Sequence, residues 1–220
     1  MVSKTTIIAK PDRDNIRSKH KDEIEIVGNG VGEEYFSYPN NNNKEFDIIF
    51  SGNMSYAPNV LAAKFLIKEV MPIVWKKNPM AKIVIAGSSP KKEIISMQSE
   101  NVIVTGWVKD MKEYYSKSKI FIAPMQIGTG LQNKLLEAMA MGLPCITTSL
   151  ANKALMAQKD QDILIANTKQ EMVESIFFLL ENKNIYSTLS INGKQYVRNN
   201  FSWEFSTNKL SLIFQQITKA

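Results

Sequence analysis

The sequence has one cysteine, Cys145, and one histidine, His20. A single thiol closes no internal disulfide, and a single imidazole supplies neither a His-based zinc site nor a pair of His ligands. Disulfide scaffolds, zinc fingers and zinc hydrolases are excluded on that ground. Long apolar runs are also missing. IFFLL at Ile176–Leu180 is among the longest, far short of the ~20 residues a membrane-spanning helix needs. Met1–Lys21 is basic throughout and has no apolar segment, unlike a secretory leader. A Ser-His-Asp site would have to recruit His20, which stands in RSKHKDE, the composition of solvated surface.

What is present is globular. The 220 residues are 44% hydrophobic and 22% charged, the balance of chains that fold around a core. The net charge of +6 is uneven, because Met1–Lys21 carries +4 of it and the remaining residues +2. No nucleic-acid-reading motif accompanies that charge, so a nucleic-acid partner is not expected. With neither leader nor span, a cytoplasmic location is expected. The basic segment would then be available for peripheral contact with the inner membrane face.

Periodicity predicts the architecture. Short β-prone runs stand at Thr5–Ala9 and Ile24–Val27, and a glycine- and asparagine-rich loop region follows from Gly28 to Glu45. Six further runs then alternate with helical patterns: Asp47–Ser51, Lys82–Ala86, Val102–Thr105, Ile120–Ala123, Cys145–Thr148 and Ile163–Ile165. Helices are predicted over Asn59–Trp75, Lys91–Gln98, Asp110–Ser116, Asn133–Met141 and Lys169–Glu181, with a helical tail over Ile185–Asn199 and Trp203–Ile217. Alternation of this kind makes an α/β fold, a doubly wound, parallel, six-stranded Rossmann-like sheet with C-terminal helices. Ligands on such sheets lie beyond the carboxyl ends of the strands. The loops there begin with Gly52, Gly87 and Gly106, and the fourth runs from Pro124 to Gly130.

The densest chemistry lies in GTGLQNKLLEAMAMGLP, Gly128–Pro144. Gly128-Thr129-Gly130 exposes backbone N–H groups ahead of a helix, the arrangement of an anion cradle. Lys134 and Glu137, three apart, share one helical face. A cation suits phosphate and a carboxylate suits a ribose diol, so together they suit a nucleotide. A surface Lys–Glu pair on an amphipathic helix fits the same spacing. GSSPKKE at Gly87 lacks the Lys-Ser/Thr of a P-loop, and GNGVG at Gly28 lacks the third Rossmann glycine. Cys145, in a strand-like run, reads as core.

Four stretches carry a resemblance to a known family: Phe50–Pro72, Lys82–Pro90, Val104–Ser149 and the FSWE of Phe201–Glu204. With Asn29–Phe36 they cover nearly the whole chain. They resemble the C-terminal, donor-binding lobe of GT-B retaining glycosyltransferases, the class named glycosyl transferases group 1. The resemblance implies retaining hexosyl transfer from a nucleotide-diphosphate sugar to a polysaccharide or lipid-linked acceptor, with no metal or other cofactor. It implies that Glu137 binds the ribose hydroxyls and that the turn at Trp107 and Val108 holds the base. Gly128, Thr129, Gly130 and Leu131 would cover the sugar and diphosphate, with Lys134 near the phosphates and Gly52 in the loop below them. Many members carry a glutamate eight residues before the position of Glu137, where this sequence has Thr129. Many also carry Arg and Lys in the cleft loops, where this sequence reads Gly52-Asn53-Met54-Ser55.

The implied organisation is residues 1–31 as a remnant of an N-terminal lobe and a linker, 32–200 as the nucleotide-sugar-binding lobe, and 201–220 as a C-terminal helix. The chain would then be a truncated or split glycosyltransferase. Two other readings stay open. One is a non-catalytic nucleotide-sugar-binding module working with a separate N-terminal lobe. The other is a basic peripheral protein that uses Met1–Lys21.

Overall fold

A computed structural model describes residues 4–39, 41, 43–128 and 130–218. Two short strands, β1 (Thr6–Ile7) and β2 (Glu25–Ile26), pair in parallel on their own, with α1 (Lys10–Asp14) between them. The stretch expected to be loop contains a one-turn helix, α2 (Glu33–Phe36). Its Phe36 is buried in the main core, which is why the turn forms in so polar a sequence.

The main sheet begins with β3 (Phe46–Ser51). Next comes a helical rod made of α3 (Ala57–Phe65), a π-helical turn (Leu66–Val70) and α4 (Met71–Lys77). Pro72 explains the π turn. Proline has no N–H and crowds the carbonyl four residues back, and the extra residue per turn relieves that clash. The chain continues through β4 (Ile83–Ala86), α5 (Lys92–Ile95), β5 (Val102–Val104), α6 (Met111–Ser116) and β6 (Ser118–Ala123). Then come α7 (Asn133–Ala140), β7 (Cys145–Thr147), α8 (Ser149–Leu155), β8 (Leu164–Ile165), α9 (Lys169–Glu181), α10 (Lys183–Phe201) and α11 (Trp203–Thr218).

The six strands lie in the order β5-β4-β3-β6-β7-β8, every neighbouring pair parallel. This is the doubly wound sheet expected. Ile48, Ile49 and Phe50 of β3, with Val84, Ile85, Phe121 and Ile122 beside them, are fully buried. Helices cover both faces, so the strands read as continuous apolar runs with no alternation. The strand order reverses between β3 and β6, which opens a crevice at their carboxyl ends.

Three details depart from expectation. The helix predicted over Lys91–Gln98 is the single turn Lys92–Ile95. Helices α1 and α8 were not anticipated. The α8 helix is started by Thr148, whose hydroxyl accepts from the Ala151 N–H. By contrast α9 has its predicted bounds, set by a capping box between Thr168 and Glu171. Cys145 is buried in β7, and His20 is exposed beside Glu23.

The linker joins the sheet unit at a seam. Val31 N–H donates to the Phe201 carbonyl at 2.7 Å, and Trp203 N–H donates to the Val31 carbonyl at 3.4 Å. Among the described residues no helix is long and apolar enough to cross a membrane.

Candidate functional site

Three loops at the carboxyl edge are stitched together by backbone hydrogen bonds. Gly52 N–H donates to the Ala86 carbonyl at 2.9 Å, Met54 N–H to Ser88 at 2.8 Å, and Gly87 N–H to Gly106 at 3.2 Å. Gly87 has φ +137°, and a Cβ there would run into the Gly52 carbonyl oxygen. A Cβ on Gly52 would in turn lie 2.7 Å from Asn59 Nδ2 and 3.0 Å from Lys134 Nζ. Glycine at both positions lets two backbone turns and a lysine head group close on one point.

Lys134 rises from the first turn of α7. Its ammonium donates to Asn59 Oδ1 and lies 4.7 Å from the centre of the Phe50 ring. Burial pulls its pKa down to about 8, and the nearby Glu137 charge offsets part of that fall. The lysine is thus held by neutral partners, a cation placed to meet an incoming anion. Its helix is suited to the same task. Gln132 at the N-cap accepts no hydrogen bond from the N–H groups of the helix, whereas Asp110, Thr148 and Thr168 cap α6, α8 and α9. The first-turn N–H groups of α7 lack the side-chain acceptor those helices have.

Glu137 lies one turn further along α7. Its Oε2 accepts from the Tyr115 hydroxyl at 3.0 Å, and that hydroxyl lies 2.8 Å from Ser51 Oγ. Burial pushes the Glu137 carboxyl upward, while the Tyr115 hydrogen bond, Lys134 and Lys112 pull it back. For both Lys134 and Glu137 burial outweighs their mutual attraction, so neither satisfies the other.

Ser51, Gly52, Gly87, Tyr115, Lys134 and Glu137 line one cavity of about 360 Å³, together with Tyr35, Ser88, Trp107, Val108 and Met111. Trp107 is 74% exposed, an indole standing in solvent at the rim. Of the residues expected from sequence, the structure brings together Gly52, Trp107, Val108, Lys134 and Glu137. Gly128, Gly130 and Leu131 are not among the lining residues, and Thr129 lies outside the described residues. A side chain added at Gly128 or Gly130 would meet nothing within 4 Å.

Tyr35, Asn59, Ser51 and Tyr115 were not singled out by sequence. Tyr35 belongs to α2, with the Lys112 ammonium 5.1 Å from its ring centre. The linker also reaches the site, because Asn29 Nδ2 donates to Asn133 Oδ1 at 3.2 Å. A larger cavity of about 540 Å³ sits near Lys4, His20 and Glu25 in the N-terminal segment, away from the strand ends. Among the described residues no group of three His, Cys, Asp or Glu side chains is placed to hold a metal ion.

The chain matches the family profile described as glycosyl transferases group 1 over residues 45–182. It is 23% identical to the capsular polysaccharide biosynthesis glycosyltransferase CapM of Staphylococcus aureus, over 93% of this chain and 58% of that protein. It spans about half the length of the curated relatives CapM and a Klebsiella pneumoniae protein from a cps region. Among solved structures it superposes on Anabaena HepE in complex with UDP-glucose, TM-score 0.77 at 11% identity, over 98% of this chain and 64% of HepE. The C-terminal domain of the Francisella tularensis group 1 glycosyl transferase LpcC matches at TM-score 0.60 and 19% identity, over 79% of this chain and 100% of that domain.

Proposed function

The chain belongs to the glycosyl transferases group 1 family, and from that premise we propose that it is the donor-binding lobe of a retaining hexosyltransferase. The donor is a nucleotide-diphosphate sugar, and the acceptor a polysaccharide or lipid-linked glycan. One observation carries the reading. A half-buried cation with neutral partners and a half-buried carboxylate held by a tyrosine face the same cavity from one helix.

On this reading the diphosphate lies at Gly52 and the first turn of α7, where Lys134 and the helix N–H groups stabilise the charge that builds on it as the glycosidic bond breaks. Glu137 takes the ribose hydroxyls, and the turn at Trp107 and Val108 takes the base. The β6–α7 loop, with Gly128, Thr129, Gly130 and Leu131, covers the sugar. CapM, named for capsular polysaccharide biosynthesis, supports the acceptor class, and the UDP-glucose complex of HepE supports the donor class. Residues 32–200 make up this lobe, residues 1–31 connect it to a second lobe that supplies the acceptor side, and α11 (Trp203–Thr218) closes it. On this reading the protein works in the cytoplasm, and the basic charge of Met1–Lys21 suits peripheral contact with the inner membrane face.

Calorimetric titration with UDP, GDP and their sugars tests the reading. Saturable binding of one nucleotide is expected, weakened about a hundredfold in Glu137→Ala, the range for losing two hydrogen bonds to a charged group. A folded chain that binds none of these compounds would sink the proposal.

A further inference from the structure

A carboxylate grips a diol only when one of its oxygens is turned squarely to the ligand. Among the described residues, the hydrogen bond that orients Glu137 comes from Tyr115. Tyr115 sits near the end of α6, has no exposed surface, and stands edge-on to Phe121 with ring centres 5.8 Å apart. That packing fixes where its hydroxyl lies. The hydroxyl gives its one proton to Glu137 Oε2, so Ser51 Oγ donates to it in turn. Ser51 is the buried last residue of β3. Sheet, α6 and α7 are thereby joined by one polar chain inside an apolar core. A buried polar chain of this kind is costly when any member is unsatisfied, so its members hold their positions tightly.

We propose that Tyr115 is a positioning residue acting through Glu137: the Ser51–Tyr115–Glu137 chain occupies Oε2 and turns Oε1 toward the ribose hydroxyls of the donor. The inference rests on the donor-site reading above and adds to it the group that makes the carboxylate selective for a diol. It has a consequence in pH as well. Burial raises the carboxyl and the tyrosine hydrogen bond lowers it, so without the hydroxyl the carboxylate should be lost at higher pH on the acid side.

The test uses UDP and GDP with their 2′,3′-dideoxy counterparts, titrated into the wild-type chain, Tyr115→Phe and Ser51→Ala from about pH 4, the ordinary range of a glutamate, to about pH 8. Tyr115→Phe keeps the ring against Phe121. It should weaken the ribose-bearing nucleotide about tenfold, leave the dideoxy nucleotide unchanged, and move the acid limb of binding upward. Equal weakening of both probes, or no weakening with an unmoved acid limb, would overturn the inference. Ser51→Ala should shift binding in the same direction by less, and it carries the test if Tyr115→Phe does not fold. No nucleotide binding by the folded wild type would overturn the donor reading and this inference with it. Wild-type binding that ignores the ribose hydroxyls would overturn the role of Glu137, and this inference with it, while the donor reading would stand.

Discussion

Gly87 and Gly130 both stand in loops at the carboxyl edge of the sheet, in unlike surroundings. A methyl group on Gly87 would strike the Gly52 carbonyl oxygen, whereas on Gly130 it would meet no atom within 4 Å. The first belongs to a side where three loops are hydrogen-bonded to one another and a lysine is buried against an aromatic ring. The second belongs to a loop that is held at its start by Thr148 Oγ1 donating to the Met125 carbonyl at 2.7 Å and near its end by Gln132 Nε2 donating to the Gly130 carbonyl at 3.1 Å. On the β3–β4–β5 side, packing within the chain accounts for the residues found. In the β6–α7 loop a φ of +96° calls for glycine at Gly128, but packing does not account for Gly130, which fits a loop constrained by a ligand approaching its backbone. On the donor-site reading, the phosphate and ribose end is formed by folding itself, and the β6–α7 loop is left for the donor to shape.

Substitutions that treat the two sides alike would break this comparison. The largest effect is expected at Gly87→Ala, because the clash is with backbone and neither turn can move without breaking its hydrogen bonds. Denaturant unfolding should show a loss of about 3 kcal/mol, with nucleotide binding abolished. A loss below about 1 kcal/mol would mean that the two turns are softer than their hydrogen bonding implies.

Lys134 should give the next largest effect. With its pKa at about 8, the amine is partly neutral at mildly alkaline pH, and a bound diphosphate should draw a proton onto it. Proton uptake, read from binding enthalpies in buffers of different ionisation enthalpy, should grow as pH rises through about 8 and fade toward pH 6, where the ammonium is already formed. Lys134→Met should abolish the uptake and weaken binding at least tenfold, the loss of a charge-assisted contact. The sign for stability is opposite. The folded value lies below that of an unfolded lysine, ~10.4, so the ionised form opposes folding and stability recovers as pH rises from about 8 toward the unfolded value. The methionine variant should lose that dependence. The smallest effect is expected at Gly130→Ala, within about 0.5 kcal/mol in stability. Weaker binding of the nucleotide sugar than of the bare nucleotide in this variant would sharpen the contrast between the two sides.

Much of this could be read from the sequence, for identifiable reasons. Strands such as Asp47–Ser51 are apolar on both faces, and α9 carries its cap in Thr168 and Glu171, so both show in one dimension. Lys134 and Glu137 were legible because three-residue spacing on a helix places side chains on one face. Tyr115 was not. It follows Tyr114 in the sequence, and which ring turns inward depends on how α6 lies against β6 and α7. Ser51 and Asn59 are ordinary residues until Tyr115 and Lys134 meet them. Tyr35 was hidden for another reason, since α2 is one turn long in a stretch dense in glycine and asparagine, and only Phe36 packing reveals it. The motif at Gly128-Thr129-Gly130 announced an anion cradle, yet Gly128 and Gly130 stand apart from the cavity.

The hydrogen bonds that tie Val31 to Phe201 and Trp203 have a mechanical consequence. The strand of chain arriving from residue 27 and the helix departing as α11 are fastened at one place, like both straps of a hinge on a single pin. Arg198 pairing with Glu33 and Lys194 Nζ donating to the Phe36 carbonyl reinforce the same seam, so a torque delivered through either segment is shared by both. Asn29, two residues from the pin, holds Asn133, so such a torque would be felt first at the opening turn of α7.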